Sequence, residues 1–285
     1  MLRAHEMSIS RFVSKFVVYS AALLATNSAI AGPYAPAAGQ LGSTAIAYNS
    51  PQIVAWANSV QELTRGPMNI ANPGAGLASF GSGTAALGPA GTDTTAVVSL
   101  GDGGHITLGF AQPITDGPGY DFAVFENGLS DTFLELGFVD VSSDGANFFR
   151  FPSVSLTPTA TQVGSFGALD PTNLNDLAGK YRVGFGTPFD LSELAGVSPL
   201  LDISNVRYVR VTDVVGSINP LYATVDSLGN MVNDPYPTAF ASGGFDLDGV
   251  GVINAVPEPA TFSLLAASGL AWLFRRRKAL RSFHC

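Results

Sequence analysis

From residue 96 onward, short runs of alternating apolar and polar residues are separated by clusters of Gly, Asp, Asn and Pro, the punctuation of an antiparallel sheet. Strands are predicted at residues 96–100, 105–110, 120–126, 133–141, 206–211 and 244–253. In the fourth run the apolar phase is Leu134 and Leu136 before Gly137, but Val139 and Val141 after it. A one-residue shift at a glycine predicts a β-bulge. Asp144-Gly145 stands between two such runs, and both residue types tolerate the positive φ of a tight hairpin turn, so a hairpin is predicted there. Asp190-Leu191-Ser192-Glu193 has the form of a capping box and predicts a short helix ending at Gly196.

One segment departs from alternation. Ser50-Pro51 reads as an N-cap followed by proline at the first helical position, and Ile53, Trp56, Ala57, Val60 and Leu63 recur at helical spacing until Gly66-Pro67. The pattern predicts one amphipathic helix with Trp56 on its buried side. Residues 68–91 are rich in Gly, Ala, Ser and Pro and predict loop. Many short strands, one short N-terminal helix and no internal repeat predict a mainly β fold, an antiparallel β-sandwich of jelly-roll type, as one body over residues 32–254.

The two ends read as transport signals. Arg3, Arg11 and Lys15, the apolar run 16–24 and then Ala29-Ile30-Ala31 before Gly32 form the three parts of a signal peptide over residues 1–31, to be cut by signal peptidase after Ala31. Over residues 255–285, Val256-Pro257-Glu258-Pro259 precedes an apolar stretch of fifteen residues, 260–274, and then Arg275-Arg276-Arg277-Lys278. As a helix the stretch is about 22 Å long against a hydrocarbon core of about 30 Å, a gap that local thinning and snorkelling arginines can close. The basic cluster stays in the cytoplasm, which places the body outside the inner membrane, transiently anchored by its C-terminal transmembrane helix.

This C-terminal arrangement resembles the PEP-CTERM sorting signal of exopolysaccharide-producing Gram-negative bacteria: Val256-Pro257-Glu258-Pro259 matches the signature, 264–274 the short membrane segment, and Arg275-Arg276-Arg277 the basic cluster. The resemblance implies recognition by an exosortase, an integral-membrane enzyme with a cysteine nucleophile, and delivery to the cell surface or extracellular matrix. In the body, residues 139–148 resemble a hairpin of galactose-binding-like sandwiches, 206–211 resemble their late strand, and 244–252 their closing strand. The region 121–127 is similar to an uncharacterised group of PEP-CTERM surface proteins. These likenesses imply an address and an architecture, and no activity.

Composition narrows the chemistry. The 285 residues are 46% hydrophobic and 13% charged, enough to build a core. The formal charge of −8 hides an asymmetry, because residues 32–259 hold six basic residues against 21 acidic ones, a net of −15. That excludes a nucleic-acid binder and suits the holding of hard cations. Cys285 is the sole cysteine, so no disulfide forms within the chain, and with His5, His105 and His284 as the only histidines no zinc-ligand array can be built. A Ser-His-Asp triad would need His105, which sits in an alternating run and reads as a strand histidine.

Two sets of acids are candidates for chemistry. Asp121, Glu126, Asp246 and Asp248 are the expected ligands of a calcium ion, since Asp246 and Asp248 on one strand face would repel unless solvated or bound to a cation. Each acid also fits a turn cap or a solvated strand face. Glu126 and Glu135 are the pair to try for glycoside hydrolysis. The sequence therefore predicts an exported, exosortase-sorted, noncatalytic surface or matrix protein, associated with exopolysaccharide and calcium-dependent. The alternative is a surface glycan-active hydrolase or lyase. Two carboxylates facing each other in a deep cleft would favour the enzyme, and a shallow aromatic face with an oxygen-lined ion site the binding module.

Overall fold

A computed structural model describes residues 31–257. The expected signal-peptide residue Ala29, Glu258 and Pro259 of the sorting signature, the expected membrane helix, and Arg275, Arg276, Arg277 and Lys278 lie outside the described residues. Among the described residues no helix is long and apolar enough to cross a membrane.

The described residues fold into antiparallel sheets with only short 3-10 turns besides. The strands are β1 (Ile46–Ala47), β2 (Ala55–Trp56), β3 (Ser59–Thr64), β4 (Val98–Ser99), β5 (His105–Ile114), β6 (Phe122–Glu126), β7 (Gly137–Ser142), β8 (Phe149–Arg150), β9 (Val154–Ser155), β10 (Leu174–Asn175), β11 (Phe185–Phe189), β12 (Val206–Asp213) and β13 (Asp246–Val252). One sheet runs β1-β11-β6-β13-β2, with β4 also paired to β13; the second runs β3-β5-β12-β7-β8; β9 and β10 form a small ladder. A single apolar cluster joins Phe122, Val124, Phe189, Leu247 and Val250 of the first sheet to Ile106, Leu108, Val139, Val141, Val209 and Val211 of the second, which is consistent with a sandwich. At its centre Phe122 stacks on Phe189, with ring centroids 5.3 Å apart, and meets Phe151 edge-on at 5.8 Å.

The remaining apolar groups root the loops. Leu134, Leu136, Phe138, Leu174, Val214 and Val232 form a second buried cluster beneath the connections after β6, β9 and β12. A third surrounds Phe125, whose ring lies 5.2 Å from that of Trp56.

Most predicted strands are present, and the Asp144-Gly145 hairpin joins β7 to β8 with Gly145 at φ +78° and the Asp144 carboxylate accepting the N–H groups of Ala146 and Asn147 at 2.8 Å. Asp190 caps the 3-10 turn Leu191–Leu194 by accepting from Ser192 N at 2.9 Å, although Glu193 turns towards Asp176 instead of closing the box. The N-terminal helix is absent: its residues form β2 and β3. The reason is a register shift in β3 between Val60 and Glu62, where the extra residue Gln61 returns both Val60 and Leu63 to the core and so imitates a helical i, i+3 repeat. The bulge expected at Gly137 is also absent, since β7 pairs with β12 in unbroken register from Gly137 to Ser142. The phase change arises because Leu134 and Leu136 precede the strand and pack into the second cluster. β11 escaped notice because it contains Pro188, which is tolerated beyond the two residues that β1 covers.

Replacing Phe122 by Ala removes a ring packed against two others in the shared core and should cost about 3–5 kcal/mol in urea unfolding. A loss below about 1 kcal/mol would mean that the two sheets do not depend on this aromatic centre.

Candidate functional site

At the Glu126 end of β6, several loops converge around a cleft of about 270 Å³. Among its lining residues Phe166 at 74%, Leu129 at 64% and Phe240 at 48% are exposed and form the mouth, whereas Asn127 and Glu135 at 9% and Thr238 and Asp246 at 5% are buried at the base. Phe80 and Phe133 complete the walls. The rings form a ladder, with Phe133 and Phe166 6.0 Å apart and Phe166 and Phe240 5.9 Å apart.

Polar ties set these rings in place. Arg65 donates to the carbonyls of Phe80 (3.0 Å), Ser99 (2.5 Å) and Gly81 (2.6 Å), pinning the Phe80 loop to β4. Gly81 is required there, because φ is +65° and a Cβ would collide with the Val97 carbonyl. Phe80 N donates to the Ala241 carbonyl at 3.0 Å, joining the Phe80 loop to the Phe240 loop. Ser165 Oγ donates to the Pro237 carbonyl at 2.6 Å, joining the Phe166 loop to the same segment.

The base of the cleft is acidic and poor in counter-charge. Asp246 accepts from Ser99 Oγ and from Asn127 Nδ2 (3.1 Å), and burial raises its pKa to about 6. Glu135 has no hydrogen-bond partner for its carboxyl among the described residues, and burial, reinforced by Glu126, Asp246, Asp234 and Asp213, holds its pKa well above the usual range. Behind them Glu126 is buried, with one oxygen accepting from Gly128 N at 2.6 Å and Oε1 unpartnered. Burial and the nearby Asp246 push its pKa up as well.

The four acids expected to share a calcium ion do not meet. Asp121 and Glu126 stand at opposite ends of β6, about 17 Å apart at the rise of an antiparallel strand. Asp121 instead accepts from Gly117 N (2.8 Å), Leu191 N (2.7 Å) and Asn254 Nδ2 (2.9 Å), tying three segments together. Asp248 is the extra residue where β13 shifts register against β6, and it accepts from Gly91 N at 2.9 Å. Only Glu126 and Asp246 of the four lie near each other. Among the described residues the three carboxylates that do approach within 4.8 Å are Asp116, Asp121 and Asp190. His105 contacts Glu62 at 3.3 Å on the edge of the second sheet, and no triad forms around it.

The sequence alone leaves open which of its nineteen phenylalanines are exposed. Their signal was present: Ser79-Phe80-Gly81, Ser165-Phe166-Gly167 and Ala239-Phe240-Ala241 each place an aromatic among small loop residues that offer it nothing to pack against.

Away from the cleft, Ala255 bridges Ile114 and Val256 N donates to the Pro113 carbonyl at 2.9 Å, so Val256 and Pro257 leave the body directly, without a spacer. The described molecule is thus an antiparallel β protein with an aromatic-walled, acid-based cleft. Residues 255–278 match the family model described as the PEP-CTERM protein-sorting motif. The match supports an exported protein processed by exosortase and sorted to the cell surface. No curated protein matches the chain.

Because Asp102 and Asp246 are raised to about 6 and Glu193 to about 7, the native state holds protons that the unfolded chain releases near pH 4. Their stabilising contribution is complete below pH 4 and is lost as pH rises through 6 to 7. Thermal unfolding should therefore show a higher Tm at pH 5 than at pH 7.5, with Asp246 alone contributing about 1.4 kcal/mol of the difference, since part of its linkage is already lost by pH 5. Asp246→Asn should shrink that difference; a Tm that rises between pH 5 and 7.5 would overturn the account.

Proposed function

We propose that this exported surface protein is a noncatalytic glycan-binding protein that associates with exopolysaccharide through the aromatic cleft. The observation that carries the reading is the cleft itself, in which exposed Phe166 and Phe240 flank the hydrogen-bonding groups of Glu135 and Asp246. Apolar ring faces stack on the C–H faces of a sugar while base carboxyls meet its hydroxyls. An exposed phenylalanine ladder has no structural reason to stay open to water. We read the two sheets as a jelly-roll-like sandwich because β5, β7 and β12 of one alternate along the chain with β6, β11 and β13 of the other. Transient anchoring by the C-terminal segment belongs to the same proposal. It assigns no role to calcium, since Asp121 and Glu126 cannot reach one ion.

A second reading is favoured by one observation: Glu135 and Asp246 line the same cleft, as an acid and a neighbouring carboxylate would in a glycosidase. One incubation separates the two. The exported protein is titrated with soluble exopolysaccharide from its host and the mixture is assayed for new reducing ends. Binding without new ends supports the proposal, and release of ends that Glu135→Gln abolishes replaces it with the hydrolase.

Phe166→Ala should weaken exopolysaccharide binding about tenfold or more while changing stability by only about 0.5 kcal/mol, because the ring is three-quarters exposed. Unchanged affinity would remove the cleft from the function. Deleting residues 258–285 should abolish surface retention and send the protein to the periplasm or medium, as followed by cell fractionation. Retention equal to that of the intact chain would refute sorting through this motif.

A further inference from the structure

We infer that the sugar taken by the cleft carries a free amino group, so that the ligand is an amine-bearing glycan and not a neutral or anionic one. The inference rests on the glycan-binding reading and deepens it. Three observations carry it. First, the cleft presents two carboxyl groups at its base and no Lys, Arg or His among its lining residues. Arg65, a cation whose charge reaches Asp246, already donates to three carbonyls and lines no part of the cleft. Second, Glu135 is nine-tenths buried, lines the cleft, and has no hydrogen-bond partner for its carboxyl among the described residues, so the site offers an acceptor to an incoming donor. Third, the walls are four phenylalanines, whose ring faces attract an ammonium that approaches the carboxyls.

An ammonium on a sugar ring answers all three at once. It donates N–H to Glu135 and Asp246, stabilises their ionised forms by its charge, and leaves the C–H face of the ring for Phe166 and Phe240. A uronate would bring negative charge to a base whose carboxyls are already held back from ionising by burial and by further acids, Glu126, Asp213 and Asp234, buried nearby. An N-acetylated sugar loses the charge and adds bulk. The cleft volume of about 270 Å³ suits a single sugar unit more than a long stretch of polymer.

Calorimetric titration of the exported protein with the trimers of glucosamine, N-acetylglucosamine and glucose, alongside host exopolysaccharide, tests this. The glucosamine trimer should bind at least tenfold more tightly than either of the others, and its affinity should fall as salt is raised from 50 to 500 mM. Glu135→Gln and Asp246→Asn should each erase most of the preference, and circular dichroism would establish that each variant is folded. If the neutral trimers bind as well as the amine, or if host exopolysaccharide binds while no trimer does, the amine inference fails and glycan binding stands. If neither trimers nor exopolysaccharide bind, the glycan reading itself fails.

Discussion

Buried carboxyl groups that accept backbone N–H bonds hold this structure together. Asp102, Asp121, Glu126, Asp213, Asp226, Asp234 and Asp248 are all buried, and each accepts at least one backbone N–H. Several of these bonds join segments far apart in the chain: Asp213 takes Gly103 N and Phe245 N, Asp234 takes Leu136 N, and Asp121 takes Leu191 N. With its single cysteine at position 285, the body has no disulfide to fasten its long connections, and these ties do that work without covalent bonds. Their cost is desolvation, visible in the raised pKa of Asp213 and Asp234.

The same constraint creates the cleft. Asp213 fixes the turn before β5 and the start of β13, while Asp234 fixes the segment entering β7. The segments carrying Phe133 and Phe240 adjoin these fixed points, Gln162 ties the Phe166 loop to the Asp234 carbonyl at 3.2 Å, and Arg65 brings Phe80 to meet them. A cleft built from loops thus has the definition of one built on strands, which is what positioned stacking requires. Acids used as ties also leave few carboxyls free. Glu135 stands out because it alone lines the cleft with no bond to its carboxyl among the described residues.

The strands were legible where local chemistry and tertiary demand agree. The alternation at 105–110 and 206–211, the Asp144-Gly145 turn and the Asp190 cap each carry their reason within a few residues. Residues 50–65 were misleading because a bulge is a property of two strands together. Nothing in Val60-Gln61-Glu62-Leu63 says that Gln61 will be skipped by β5, and without that knowledge three-residue spacing reads as helix. The acids failed differently: sequence shows a carboxylate but not its partner. Asp121, expected to hold an ion with Glu126, faces backbone donors seventy residues away, whereas Glu126 and Asp246 meet only because β6 and β13 pair. The C-terminal signal was the most legible part, because its signature, apolar run and basic cluster are contiguous in sequence and need no fold to be recognised.

The cleft and the described start of the sorting motif are separated by the length of one strand. At the start of β6, the Asp121 carbonyl accepts from Ile253 N and Asn254 N, and Val256 is tied to Pro113, so the sorting motif departs from this end of the sheet. At the far end of β6, Glu126 adjoins Asp246 and the base of the cleft. The last described residues of the motif therefore lie about 17 Å or more from the base of the cleft, the length of β6. For the proposed glycan-binding role, this separation keeps the phenylalanine mouth clear of the end of the body from which the motif departs. The β6–β13 pairing enforces this arrangement, joining the strand that ends beside the motif to the strand that ends beside the cleft in a single antiparallel register.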